Sequence, residues 1–243
     1  MVLREMITTY GRSPGGWLWA LIEPVAAIAL LSFAFSLAFR DPPLGRDFAL
    51  FYATGFLPYM LFHDVSAKVA SAVRFSRPLM SFGRVRFIDA ILARALLNTV
   101  THVVIGAVVL IALLISADTG VAPDLTLVSI AYAMAVALAV GVGTLNCYLF
   151  TAFPAWERLW SIAMRPLFIV SGVIFLLEDV PATFQPILLA NPLFHVTGLM
   201  RMAVYPSYEP LYPSLAFVFG LAVGLCLLGL LVLDRFADEV LHK

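Results

Sequence analysis

Six apolar stretches, each about as long as a bilayer-crossing helix, alternate along the chain with short polar connections. With a window of about 19 residues they cover 17–39, 48–69, 88–115, 125–152, 159–177 and 211–233. A helix needs roughly 20 apolar residues to cross the hydrocarbon core, so each stretch suffices for one span. The first is interrupted by Glu23-Pro24, the second holds His63, Asp64 and Lys68 near its far end, and the fifth contains Arg165-Pro166. The fourth carries no formal charge, and neither does Pro181 to Met200. That last segment includes Pro181, Pro186, Asn191 and Pro192, which break a lipid-exposed helix because the freed backbone groups find no water there. The pattern predicts short re-entrant or interfacial helices over 181–210; read as a seventh span, the segment would move the C-terminus to the other side.

Ahead of the first span, Leu3, Met6, Ile7 and Tyr10 recur at helical spacing, with Arg4, Glu5, Thr8 and Arg12 on other faces. This spacing predicts an amphipathic helix within 1–16, lying in the membrane interface. Gly11 to Gly16 then turns the chain into the bilayer. The predicted fold is an all-α polytopic membrane protein. It has an interface helix (1–16), a six-span domain (17–234) with a periplasmic re-entrant region (181–210), and a short tail (235–243). The first apolar run is too long for a cleaved signal's core of 7–15 residues.

Composition agrees. Of 243 residues, 62% are hydrophobic and 12% charged, with mean hydropathy +0.98. A soluble domain carries about 25% charged residues, so too little polar surface exists here to coat a particle in water. The balance of 15 basic and 15 acidic residues gives no net charge to draw nucleic acid, and no nucleic-acid partner is expected. The distribution along the chain is more telling. With six spans, twelve of the fifteen Lys and Arg fall on one side and only Arg40, Arg46 and Arg201 on the other. The positive-inside rule then places both termini in the cytoplasm. Cys147 and Cys226 both lie in apolar runs and read as packing residues rather than a disulfide pair.

Several chemistries are missing. The two lysines, Lys68 and Lys243, form no glycine-rich phosphate loop, so ATP is not hydrolysed by such a loop on this chain. The four histidines are scattered, and no cysteine–histidine cluster has zinc spacing. These observations point away from an enzyme and from a cofactor or metal on this chain, toward a transporter subunit or channel.

Three features remain as candidates for function. The connection 73–86 carries Arg74, Arg77, Arg84 and Arg86 interleaved with Phe75, Leu79 and Phe82, and no acid. Anionic lipid headgroups would account for the arginines, whereas the apolar residues suit a short helix pressed into a partner's groove. Glu23 stands inside a span, where a carboxylate costs roughly 2.5–3.5 kcal/mol. It serves either a hydrogen bond at the Pro24 kink or substrate passage, and a pairing with Arg165 is one arrangement to test. Finally, Phe48, Phe51, Tyr52, Phe56, Tyr59 and Phe62 fall within about 140° on one helix. Such a stripe serves packing, and its flat rings with hydroxyl handles also suit sliding contact with sugars.

The run Tyr10 to Pro24, YGRSPGGWLWALIEP, closely resembles the entry into the first span of type 2 ABC exporter permeases, best of all the KpsM-like capsular polysaccharide export permeases. Asn191-Pro192-Leu193-Phe194-His195, continuing through Arg201 to Tyr208, resembles the segment before the last span in that family. The resemblance implies a permease of the bacterial inner membrane that pairs as a homodimer with two separate ATP-binding subunits, on which ATP and Mg would reside. It implies a lipid-linked polysaccharide substrate, periplasmic and outer-membrane export components, and docking of the ATP-binding subunits through Arg74, Phe75, Arg77, Leu79, Phe82, Arg84 and Arg86. The substrate path or gate would then draw on Arg12, Trp17, Trp19, Glu23, Phe51, Tyr52, Phe56, Tyr59 and Arg165. O-antigen, teichoic acid or drug export would use the same architecture. A proton-driven secondary carrier, with Glu23 and Asp64 titrating, is the reading from a different class.

Overall fold

A computed structural model describes residues 16–80, 86–117 and 122–236, the side chains at 16–17 and 77–80 excepted. The expected interface helix with Arg12, the 81–85 part of the basic connection and the C-terminal tail lie outside these residues. Among the described residues the regular structure is entirely helical. Helix α1 spans Gly16–Ser36, α2 Phe48–Ala70, α3 Ala72–Met80, α4 Phe87–Ser116 and α5 Leu125–Ala152. Helix α6 covers Pro154–Val170, α7 Gln185–Leu189, α8 Pro192–Val204 and α9 Leu215–Arg235, with a 3₁₀ turn at Leu177–Asp179.

Helix ends fall where the side chains can cap them. Asp47 accepts from the Leu50 amide at 2.7 Å, Asp124 from those of Thr126 and Leu127, and Ser214 from that of Phe217. Each cap satisfies an amide that the first turn leaves open. The stretch read as 159–177 is held differently. Pro154 starts α6 immediately after the non-helical Phe153. The helix stops at Val170, where Gly172 adopts φ +72°, a left-handed conformation that glycine tolerates without steric cost.

Among the described residues, four helices are long and apolar enough to cross a membrane: Leu18–Ser36, Phe87–Ser116, Leu125–Ala152 and Leu215–Arg235. Helix α2 is not among them, and its surroundings explain why. Sixteen of its 23 residues are buried, and it packs against α1, α4, α5 and α8. A helix sheathed in protein rather than lipid can carry His63, Asp64 and Lys68, provided their polar atoms find partners.

Helices α2, α5 and α9 cross closely through small residues. A Cβ on Gly143 would sit 2.7 Å from that of Val69, and one on Gly229 2.6 Å from the amide nitrogen of Leu145. Such close approach replaces the hydrophobic drive that lipid cannot supply between helices. Helix α8 is the other core element, with eleven of its 13 residues buried. Its start is pinned by the Asn191-Pro192 pair. The Asn191 side chain caps the Leu193 amide and donates to Ser171 Oγ at 3.1 Å, while Pro192 occupies the first turn, where no N–H is needed. The far end of α8 meets the start of α5, where the Asp124 amide donates to the Ala203 carbonyl at 2.8 Å.

Arg201, counted above among the charges of an outer connection, is instead fully buried in α8. Its guanidinium donates to the carbonyls of Phe175 and Val173 at 2.8 and 2.9 Å and lies 4.3 Å above the Phe51 ring. Arg94, counted with the inner charges, is also buried and donates to the Lys68 carbonyl and Ser71 Oγ where α2 meets α3.

Candidate functional site

Helical spacing collects the polar residues of α2 on one face. Phe56, Tyr59, Met60, His63, Asp64, Ala67, Lys68 and Ser71 follow the i, i+3, i+4, i+7 pattern, and all border cavities. Opposite them, α6 presents Glu157, Trp160, Ser161, Met164, Arg165 and Phe168 at the same spacing. Two cavities of 480 and 440 Å³ lie between these faces. They share His63, Ser161 and Met164, so they form one groove. Glu23 of α1 closes one end and Phe150 of α5 the other.

The groove is polar along α2 and held together by specific bonds. Asp64 takes His63 Nδ1 at 2.9 Å on one oxygen and His102 Nε2 of α4 at 3.2 Å on the other. The Tyr59 hydroxyl donates to the Met164 carbonyl at 2.9 Å, and the Tyr59 and Phe56 rings both meet Phe168 edge-on. Near the start of α6 the Trp156 indole donates to Asn146 Oδ1 at 3.0 Å, tying α6 to α5. Glu157 receives both arms of the Arg74 guanidinium, Nη1 on Oε2 at 2.9 Å and Nη2 on Oε1 at 2.8 Å. That bond raises the pKa of Arg74, which lies on α3 outside the spans.

Of the residues singled out from the sequence, Glu23, Phe56, Tyr59 and Arg165 converge on this groove. Glu23 and Arg165 border the same cavity, and no ion pair joins them. Trp19 is 71% exposed on the outer side of α1. Trp17 belongs to α1, but its side chain lies outside the described residues, as does all of Arg12. Phe51 is buried beneath Arg201 and borders none of these cavities. Tyr52 borders a separate 420 Å³ cavity, walled by Phe35, Phe39, Phe48 and Phe175 with Asp41 and Asp179. The aromatic stripe therefore divides between core packing and two different cavities.

The basic connection is only partly described. Helix α3 presents Arg74, bonded to Glu157, and Phe75, 39% exposed, with Arg94 4.1 Å from its ring centroid. Arg86 precedes α4, where its amide donates to Asp89 Oδ2 at 2.9 Å. The side chains of Arg77 and Leu79, and all of Phe82 and Arg84, lie outside the described residues. Sequence reading passed over Glu157, Asn146 and the bond from His102 to Asp64. Glu157 carries a signal in hindsight, an acid opposite a connection that holds only bases. His102 lies 38 positions from Asp64, and no local pattern links them.

The family model for the ABC-2 type transporter matches residues 1–205. The chain is 28% identical over 208 residues to the polysialic acid transport protein KpsM of Escherichia coli, covering 86% of this chain and 81% of the relative. Matches to two capsule polysaccharide export inner-membrane proteins run almost end to end. BexB of Haemophilus influenzae is 27% identical over 241 residues, covering 99% of this chain and 91% of its own. CtrC of Neisseria meningitidis serogroup A is 26% identical over 240 residues, with the same coverage. With an all-helical bundle rich in spanning helices and a family match over more than four-fifths of its length, this chain belongs to the ABC-2 type transporter family.

Proposed function

We propose that this chain is the membrane permease of an ATP-driven exporter that carries lipid-linked capsular polysaccharide across the bacterial inner membrane. The observation that carries this reading is the nearly end-to-end match to inner-membrane proteins named for capsule polysaccharide export. In this reading the spans are α1, α2, α4, α5, α6 and α9, both termini are cytoplasmic, and residues 181–210 form a re-entrant region at the outer end. The ATP-binding subunits are separate chains that dock on the interface helix and the 73–86 connection.

Burial supports a path between two copies rather than within one. The centre of the bundle is filled by α2, α5 and α8, which leave no room for a polymer. Helices α1 and α6, which carry Trp19, Glu23 and Arg165 of the expected path, are the least covered. In α6 only Met164 is buried, and just 11% of the apolar stretch of α1 is buried. Leu18, Trp19, Leu30 and Phe33 of α1, with Leu159 and Ile162 of α6, are all more than half exposed. A homodimer would bring these faces together around a channel. The groove with Glu23, Asp64 and Arg165 would then open from its wall at the cytoplasmic half, where a charged lipid headgroup could enter.

An in-frame deletion in the native host, followed by osmotic-shock fractionation of glycans, tests the assignment. The expected outcome is full-length polysaccharide retained inside cells with a bare surface. An unchanged surface coat rejects polysaccharide as the cargo. The cluster of Asp64 with two histidines is what a proton-driven carrier would also need. Export that depends on ATP and withstands an uncoupler separates the two.

A further inference from the structure

Helix α6 is weakly held for an element that walls the groove. It leaves α5 through Phe153, whose backbone is non-helical (φ −130°, ψ 88°), and Pro154, a natural pivot. Beyond Trp156 and the Tyr59–Met164 bond, its remaining polar tie to the bundle among the described residues is the fork from Arg74 to Glu157. Helix α3, which supplies Arg74, is set off from α2 by the single residue Ser71. The fork thus bridges residues 83 positions apart, from the helix facing the partner subunits to the helix facing the groove.

The pair contributes little to stability. Its side chains are 50% and 41% exposed, and exposed ion pairs are worth about 0–1 kcal/mol. What a bidentate fork supplies instead is direction, because two parallel N–H···O bonds fix the distance and the plane of both groups. Arg74 and Glu157 also border the 440 Å³ cavity, so any displacement along the fork changes the width of the groove.

We propose that Arg74 and Glu157 are positioning residues, a strut that carries movement of α3 to α6 and so sets the opening of the groove between α2 and α6. This rests on reading the chain as a permease driven by an ATP-binding partner. When the partners close on nucleotide and displace α3, Glu157 follows Arg74. Helix α6 then swings about Phe153-Pro154, and Ser161, Met164 and Arg165 move relative to α2.

The test uses the whole complex with its ATP-binding subunits in nanodiscs, with Cys147 and Cys226 replaced and one reporter cysteine at Ser161, on the groove. Labelling by a membrane-impermeant maleimide is compared without nucleotide and with a non-hydrolysable ATP analogue. In the parent the rate should change roughly tenfold. Glu157→Arg should remove that change while the partners still co-purify and hydrolyse ATP, and Arg74→Glu should remove it as well. The double variant Arg74→Glu/Glu157→Arg should restore this nucleotide-dependent change, a readout that a bond serving stability alone would not move. Glu157→Gln, which keeps the shape and loses the charge, should respond in between. Singles that keep the full response, or a double variant no better than they are, overturn the strut and leave the exporter reading intact. A parent that neither binds nor responds to an ATP-binding subunit overturns both. Cargo identity does not enter the readout, so a different substrate would leave this result standing.

Discussion

Leucine in place of Gly229 should separate α5 from α9 and destroy the folded protein, whereas leucine at Gly224, five positions earlier on α9, should be tolerated. A Cβ on Gly229 would sit 2.6 Å from the Leu145 amide nitrogen and 2.8 Å from the Thr144 carbonyl carbon. On the partner helix, a Cβ on Gly141 would collide with the carbonyl oxygen of Ala222. The obstructing atoms are backbone in both cases, so no change of rotamer relieves the clash. Overpacking a core usually costs about 1–3 kcal/mol, and a clash with rigid backbone belongs at or above the top of that range. A Cβ on Gly220 or Gly224 would meet nothing within 4 Å, which puts both on a free face of α9. Alanine at either should be neutral or gain about 0.5–1 kcal/mol from lost backbone freedom in the unfolded chain. Thermal midpoints in detergent, read by fluorescence-detected size exclusion, check this. Gly141→Leu and Gly229→Leu should give aggregated or absent peaks, and Gly220→Leu and Gly224→Leu peaks like the parent's. A Gly229→Leu variant melting with the parent would refute the close crossing.

The helical architecture was legible because lipid and water impose strong, local demands. Runs of about 20 apolar residues mark α5 and α9 within a few positions in the sequence alone. Asn191-Pro192 read as a break in a lipid-exposed helix, and α8 begins at that break. What the chain does not display locally is which helix becomes the core. Helix α2 shows an aromatic stripe on one face, yet it is buried on nearly all sides, where its own Gly55 and Gly143 of α5 allow close approach. The groove was half visible. Glu23 and Arg165 stand out as charges inside apolar runs, and both border it. His102 and Glu157 gain their meaning only from partners 38 and 83 positions away. Charge counting assigned every arginine to one aqueous side, and Arg94 and Arg201 break that assumption because buried carbonyls and aromatic faces can replace water around a guanidinium.

Arg201 is fully buried with both terminal nitrogens bonded, and its loss should unfasten the segment that joins α6 to α8. Its two donors hold the carbonyls of Val173 and Phe175, just past the Gly172 turn, and its planar group covers the Phe51 ring. Arg201→Met fills most of the volume without the cost of a buried charge, which by itself would favour the variant. Against that, two buried carbonyls lose their partners, at about 1–3 kcal/mol each, and a desolvated cation–π contact worth about 2 kcal/mol disappears. The losses outweigh the gain, and a net destabilisation of about 2–4 kcal/mol is expected. Arg201→Lys should do no better. An ammonium cannot span both carbonyls in one plane, and it gives up hydration more reluctantly than a guanidinium. The same substitution at Arg158, an exposed position on α6, should leave the melting midpoint unchanged. If Arg201→Lys melts with the parent, a point charge suffices and the fork has no role. If Arg201→Met alone does so, the carbonyls have found other donors and the segment 171–176 does not depend on Arg201 for its position.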